Sequence, residues 1–447
     1  MKKKTFHIGG IHPKEYKITA EYKAIEAPLP NVAIFPLAQH IGAPAKPIVK
    51  KGDKVKVGSL IAESGGFVSA PIYSSVSGTV AKIEERIDAT GYRKPCIIIN
   101  VEKDDWDENI DRSSTLETIK NHPELTPELI VEKIKNAGIT GMGGAGFPTF
   151  IKLTPPPNAK AECVIINAVE CEPYITSDYR LMMEHSDEII VGIELLMKAA
   201  KVEKAYIGIE ENKPKAIKLF EDKLNERNDI KVVPLAKKYP QGGEKQLVDA
   251  VIERQVPAPP AIPVNVGAIV QNVGTTFAVY QAVMKNMPLI SRYTTITGLQ
   301  LKNPKNFIVR IGTPINILID NCGGLPEGEN KLLAGGPMMG KSLFSTEVPI
   351  TKGTNCITVL TDKYAKRKPM QPCIRCAKCV EACPMGLEPY LLARVSELKL
   401  WEKAEEEDIT SCIECGSCHF TCPSNRPLLD FIRNGKSTVM GIIRARK

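Results

Sequence analysis

Gly141-Met-Gly-Gly-Ala-Gly-Phe-Pro-Thr-Phe-Ile-Lys152 is the stretch from which the fold reads outward. As a string it satisfies G-x-G-x-x-G, but a dinucleotide fingerprint also needs a strand before it and a helix opened by it. Upstream, Thr126-Pro127 is an N-cap followed by proline at the first helical position, and Gly138 closes that helix. A helix therefore ends just before the loop, and the dinucleotide fingerprint fails. A loop containing Gly141, Gly143, Gly144, Ala145 and Gly146 still lets backbone N–H groups approach an anion or a planar ring. Lys152, shortly after Phe147, adds a cation for a phosphate. A tight turn with no ligand fits the same residues.

Beyond the loop, strands are expected over 163–166, 205–209, 231–235 and 268–271, and helices over 188–201, 214–225 and 244–254. That rhythm predicts a parallel, doubly wound α/β sheet with its ligands at the carboxyl ends of the strands. The first strand runs into Asn167-Ala-Val-Glu170-Cys171-Glu172-Pro173. Crowding two carboxylates at one strand end costs free energy, and at a ligand crevice they suit the hydroxyls of a ribose or ribityl chain. A solvated loop is the plainer alternative.

Eight of the 13 cysteines repeat one pattern. Cys373-Ile-Arg-Cys376-Ala-Lys-Cys379-Val-Glu-Ala-Cys383-Pro384 is followed by Cys412-Ile-Glu-Cys415-Gly-Ser-Cys418-His-Phe-Thr-Cys422-Pro423. C-x2-C-x2-C-x3-C-P holds [4Fe–4S] clusters in pairs, with the fourth cysteine of each run ligating the other cluster. Cys373, Cys376, Cys379 and Cys422 are expected to hold one cluster, and Cys412, Cys415, Cys418 and Cys383 the second. Zinc prefers two CxxC pairs, and disulfides need an oxidising compartment for which no export signal appears. Residues 387–407 between the runs read as one helix, with Leu391, Leu392, Val395, Leu398 and Leu400 as its apolar positions. Cys96, Cys163, Cys171, Cys322 and Cys356 share no spacing and read by default as small buried hydrophobes, with Cys171 set apart by its place between the two glutamates but assigned no chemistry.

Upstream, residues 31–100 form short strand-like runs. Lys51-Gly-Asp-Lys-Val-Lys-Val-Gly58 and Ala70-Pro-Ile-Tyr-Ser-Ser-Val-Ser-Gly-Thr-Val80 resemble the two hairpins of a biotinyl/lipoyl-type barrel sandwich. The turn Glu63-Ser-Gly-Gly-Phe67 has no lysine to carry a prosthetic group, so the barrel reads as structural. Residues 307–311, 314–318 and 332–337 read as strands of a small β-rich module, and 363–368 as a basic linker.

The 447 residues carry 25% charged and 43% hydrophobic side chains and a net charge of +8. This is too apolar for disorder. Part of the surplus charge sits at the two ends, read as solvated tails, and no basic stripe interleaves with aromatics, so no nucleic-acid partner is expected. The longest uncharged run, 255–284, includes four prolines, two asparagines and a glutamine at 271, which a lipid-facing helix would not tolerate. A soluble, cytoplasmic chain is expected, with membrane contact only through a partner.

The glycine loop together with Asn167–Pro173 resembles the flavin/NADH segment of the complex I flavoprotein subunit. Nearly the whole order of modules is similar to the RnfC family, the NADH-side subunits of an ion-translocating ferredoxin:NAD+ oxidoreductase. The resemblance implies a multidomain α/β + β protein: an N-terminal segment (1–30), a barrel-sandwich hybrid domain (31–104) and an FMN/NADH-binding α/β domain (115–290). A β-grasp (SLBB-like) module (295–350), a helical two-cluster ferredoxin domain (365–430) and a basic C-terminal tail (431–447) complete it. It implies that the glycine loop and Lys152 contact FMN and NAD(H), that Asn167 bonds the flavin, and that Glu170 and Glu172 face nicotinamide and ribose groups. Tyr239-Pro-Gln-Gly242-Gly243-Glu244 resembles the family's second nucleotide segment, and Gln271-Asn272 its amide pair near the FMN phosphate. Relative to complex I, Met142 replaces an Arg, Val169 an Asp, Gly243 a Glu and Gln271 an Asn. The implied partners are the A, B, D, E and G subunits of the complex, several of them in the membrane, and indirectly ferredoxin. The implied location is the cytoplasmic face of the membrane. Two alternatives share the domain order or the cysteines: a soluble cobalamin reductase, and a flavin-less electron relay.

Overall fold

The computed structural model describes residues 3–328 and 330–446. Its central element is a four-stranded parallel sheet ordered Ile230–Leu235, Ala205–Glu210, Cys163–Asn167, Ala268–Asn272. Cys-Val-Ile-Ile-Asn is buried along almost its whole length, as a strand covered on both faces must be. One face packs on the helices Pro127–Asn136, Ser186–Ala200 and Val273–Met284 through Ile134, Ile193 and Val279; the other packs on Glu244–Ile252 through Leu247 and Val251. The strand order reverses between the strands ending at Asn167 and Asn272, which lie side by side in register. A crevice opens where connections leave such a pair in opposite directions.

The barrel is a four-stranded sheet (Val32–Pro36, Arg93–Lys103, Ser77–Ile87, Lys54–Val55) closed by a three-stranded one (Lys46–Pro47, Leu60–Glu63, Ile72–Tyr73). Its core residues Phe35, Ile61 and Ile97 are continuous with the core of the α/β domain. The lysine-free turn at 63–67 ends on an exposed Phe67.

A six-stranded mixed sheet follows, ordered Ile25–Glu26, Lys305–Arg310, Ser291–Thr297, Cys356–Thr361, Asn330–Ala334, Lys341–Ser342. Its first strand comes from the N-terminal segment. Residues 3–26 form a strap: Lys4 bridges to Leu235, Ile11 pairs with Tyr239, and Ile25 pairs with Phe307.

Three local expectations are corrected. Residues 314–318, expected as a strand, are Pro314 and the start of the helix Ile315–Asn321; Ile315, Leu318 and Ile319 are buried at helical spacing, and the β-branched run concealed it. The single helix expected over 387–407 is two, Pro389–Glu397 and Trp401–Glu406, broken where Lys399 turns to φ 59°. Leu398 and Leu400 lie at that break and are about half exposed. The segment read as a basic tail belongs to an 18-residue helix, Leu428–Ala445, with Ile432, Gly435 and Val439 buried. Gly435 lets it cross Pro389–Glu397 closely, since a Cβ there would stand 2.1 Å from Ser396 Oγ.

Candidate functional site

The glycine loop folds over the switch point. Gly141 N–H donates to the Phe147 carbonyl at 2.8 Å and Thr140 bridges to Pro148, so 141–147 is pinched at its base, with Gly143, Gly144 and Ala145 exposed. A Cβ on Gly143 would stand 2.6 Å from Asn272 Nδ2, so only glycine permits the loop to lie on the strand end; Gly144 faces open space. Met142 is buried. Its N–H donates to Thr275 Oγ1 at 2.9 Å and its carbonyl accepts from Arg292 Nη2 at 3.2 Å. Met142 thus serves as a core anchor of the loop.

Four chain segments meet at this crevice. Asn167 Nδ2 donates to the Gly242 carbonyl at 2.8 Å, joining the first strand end to the 239–244 segment. Lys152 Nζ donates to Glu244 Oε1 at 2.6 Å and to the Val270 carbonyl at 3.1 Å, tying the short helix after the glycine loop to the same segment. Asn272 caps the helix Val273–Met284 through the Gly274 and Thr275 N–H groups and donates to Asp178 Oδ2 at 2.8 Å. Gln271 is buried and its Nε2 has no partner among the described residues. Gln271 is flanked in sequence by Asn272, on which the glycine loop lies, and by Val270, whose carbonyl accepts from Lys152; an unpaired amide, exposed glycine N–H groups and a lysine make a donor set that fits a flavin phosphate.

The two glutamates part company. Glu170 Oε1 accepts from the Asp178 N–H at 2.7 Å, while Oε2 is buried without a hydrogen bond, 4.0 Å from Lys17 Nζ. Burial pushes the Glu170 carboxyl up to about 7, against the pull of Lys17. Glu172 Oε1 accepts from the Met338 and Met339 N–H groups at 2.7 and 3.2 Å, and Oε2 lies 3.2 Å from the Tyr239 hydroxyl. Oε1 is therefore committed to backbone donors, whereas Oε2 has at most a share of one tyrosine proton. Cys171 between them is half-buried, its Sγ accepting from the Gly242 N–H at 3.3 Å, and desolvation pushes its thiol up to about 12.

The cysteine loops lie on the far side of Tyr239. Its one hydroxyl proton lies between the Cys415 carbonyl at 2.8 Å and Glu172 Oε2 at 3.2 Å, so one side chain touches the crevice loop and the second cysteine run. Around it pack Ile11, Met338, Ala382 and Cys415. Burial pushes the Cys412 thiol up to about 11 and those of Cys415 and Cys418 upward, with Cys383 near enough to add to each. In the other loop burial raises Cys379, and Cys422 adds to it. The proximities are crosswise between the runs, in the sense the spacing implies. Among the described residues no three side chains of metal-binding type converge as a ligand set; the thiol-only donors brought near one another suit iron–sulfur clusters rather than oxygen-seeking ions.

Sequence reading missed Lys17, Asp178, Lys213 and Arg292. Each is a charged residue with no spacing signal, brought to the crevice by tertiary structure alone.

Family descriptions match in chain order: an RnfC barrel sandwich hybrid domain at residues 4–104, a Nuo51 FMN-binding domain at 134–281, an SLBB domain at 293–342 and a 4Fe-4S dicluster domain at 365–423. The chain is 46% identical, over 96% of its length and 93% of the relative's, to the C subunit of the proton-translocating ferredoxin:NAD(+) oxidoreductase complex of Clostridium ljungdahlii. It is 42% identical to the C subunit of the Na(+)-translocating complex of Acetobacterium woodii, covering 97% and 96% of the two chains. To the C subunit of the ion-translocating oxidoreductase complex of Rhodobacter capsulatus it is 40% identical, covering 86% and 73%.

Proposed function

The chain belongs to the family of C subunits of ion-translocating ferredoxin:NAD(+) oxidoreductase complexes, and on that premise we propose that it is their peripheral NAD(H)-reacting subunit. It passes electrons between NAD(H), FMN and two [4Fe–4S] clusters. When bound, FMN supplies two-electron exchange with the nicotinamide, and the clusters supply single-electron exchange.

The chain's own residues bind and orient. The 141–147 loop, Lys152 and the Gln271–Asn272 pair would hold FMN, with Asn167 bonded toward the ring; the 239–244 segment with Glu170 would face NAD(H). Cys373, Cys376, Cys379 and Cys422 would hold one cluster, and Cys412, Cys415, Cys418 and Cys383 the other. No side-chain acid or base is required, because the hydride couple belongs to the cofactors. Among the described residues no helix is long and apolar enough to cross a membrane. We place the chain at the cytoplasmic face, docked on the membrane-embedded members among the A, B, D, E and G subunits, which do the ion transport and pass electrons to and from ferredoxin.

The observation that carries this reading is Tyr239, which joins the crevice to the second cysteine run through one hydroxyl. The test is an anaerobic NADH titration of the reconstituted, FMN-loaded chain, followed by visible absorption. Flavin and cluster bands bleaching together, at about eight irons per chain, is the expected result. Clusters that form without flavin retention or without an NADH response would reduce the chain to a relay. Cobalamin reduction without partner subunits would favour the soluble-reductase alternative.

A further inference from the structure

Lys17 lies on the N-terminal strap, where it crosses the carboxyl ends of the central sheet. Its ammonium donates to three carbonyls of a single loop: Glu170 at 2.8 Å, Glu172 at 2.9 Å and Ile175 at 2.6 Å. All three ammonium protons are thereby used, and the side chain is only 15% exposed. Neighbouring strap residues grip the same loop. Tyr16 stacks on Tyr174 with ring centroids 4.9 Å apart, and the Tyr174 N–H donates to the Glu15 carbonyl at 2.7 Å.

The loop requires a hold of this kind. Glu170 and Tyr174 have φ of 48° and 72°, left-handed conformations that non-glycine residues keep only where their surroundings over-determine them. Lys213 grips the loop at its entry, donating to the Val169 carbonyl at 2.7 Å. Carbonyls of one loop closing on a cation is how a chain holds a metal ion; here the cation is a side chain delivered from residue 17.

We propose that Lys17 is a positioning residue for the nucleotide crevice, fixing the 170–175 loop in its bound shape before any cofactor arrives. From the loop the hold runs on through Glu170 to the Asp178 N–H, and from the Asp178 carboxylate to Asn272 against the glycine loop. The role assigned to the crevice rests on the function proposed above, whereas the ordering of the loop does not. The competing role is a plain staple that attaches the strap to the domain.

Lys17→Met keeps the apolar stem and removes charge and donors, and Lys17→Arg restores both. Amide hydrogen exchange of the cofactor-free full chain is followed by mass spectrometry, alongside FMN affinity and the split between NADH KM and kcat in the loaded chain. In Lys17→Met, peptides covering 168–176 should exchange at least about tenfold faster, a loss of roughly one decade in the closed state. FMN affinity should fall and KM rise by at least about tenfold, with kcat within about threefold, and Lys17→Arg should recover most of both. Faster exchange confined to residues 3–24, with FMN affinity and KM unchanged, would overturn the proposal and leave a staple. If Lys17→Met does not accumulate folded, Lys17→Gln, with donors but no charge, should show the same changes at smaller size. Wild-type values in that variant overturn the proposal equally. A wild-type chain that binds no FMN would sink the function proposed above, and the exchange data would still decide the role of Lys17.

Discussion

The two cysteine runs are one motif in two environments. In the first, residues 366–378 are exposed throughout, Cys373 and Cys376 included. In the second, Cys415 and Cys418 are 7% and 8% exposed and pack among Tyr239, Met338 and the C-terminal helices. The backbone repeats nonetheless: Arg375 and Glu414 both have φ of 57°, and Ala377 and Gly416, one residue on from equivalent cysteines, have φ of 59° and 78°. The first run has alanine at that left-handed position. The second needs glycine, because a Cβ on Gly416 would stand 2.6 Å from the Met338 carbonyl. Identical spacing fixes what each loop holds; the neighbours decide which loop faces the crevice and which faces outward.

The largest expected difference is chemical. Brief alkylation of the native, cluster-free chain, mapped by mass spectrometry, should modify Cys373 and Cys376 at least about tenfold faster than Cys415 and Cys418, since reactivity follows exposure and thiolate content. Equal rates would erase the distinction between an inner and an outer loop.

Next is the matched pair at the left-handed position. Gly416→Ala should destabilise the chain by about 2–4 kcal/mol, adding a clash against backbone to the roughly 1–2 kcal/mol of the conformation itself. Ala377→Gly, which relieves strain but loosens the unfolded chain, should change stability by less than about 1 kcal/mol. Chemical denaturation measures both. Equal and opposite effects would mean that Met338 yields at no cost.

A third prediction concerns the crevice behind the inner loop. Glu170 has a raised carboxyl, so between the ordinary carboxylate range and about pH 7 the folded chain holds a proton that the unfolded chain has lost. Stability should therefore fall as pH rises through that window, by an amount on the order of 1–2 kcal/mol, and Glu170→Gln should flatten that part of the profile. A melting series from pH 5 to 8 decides it; superimposable profiles would place the proton elsewhere.

The smallest effect is that of Tyr239→Phe, which removes the hydroxyl shared by Glu172 and the Cys415 carbonyl. It should cost about 1 kcal/mol and leave alkylation of Cys373 and Cys376 unchanged while speeding that of Cys415. Faster alkylation in both loops would mean that the tyrosine supports the whole domain rather than its inner side.

Local pattern made much of this legible. The strand–helix rhythm, the helix closing at Gly138 and the glycine string pointed to the central sheet and its crevice, and the cysteine spacing pointed to a two-cluster module. What stayed hidden depends on contacts distant in sequence. The strap pairs Lys4 with Leu235 and Ile25 with Phe307, and nothing in residues 3–26 announces those partners. Lys17, Asp178 and Arg292 act singly and leave no periodicity to detect. The sequence pattern points Glu172 at a ligand, yet its Oε1 bonds the backbone of a module that begins more than a hundred residues later. The helix Ile315–Asn321 was obscured because its run of isoleucines also suits a strand.

In this account the buried run sits on the crevice side and the exposed run faces outward. This arrangement is tested most directly by comparing Cys415→Ser with Cys376→Ser, each reconstituted with iron, sulfide and FMN, on addition of NADH without oxygen. Cluster absorption should still bleach in Cys376→Ser and should fail to bleach in Cys415→Ser, with flavin bleaching in both. Bleaching lost in Cys376→Ser and kept in Cys415→Ser would reverse the assignment and contradict the account.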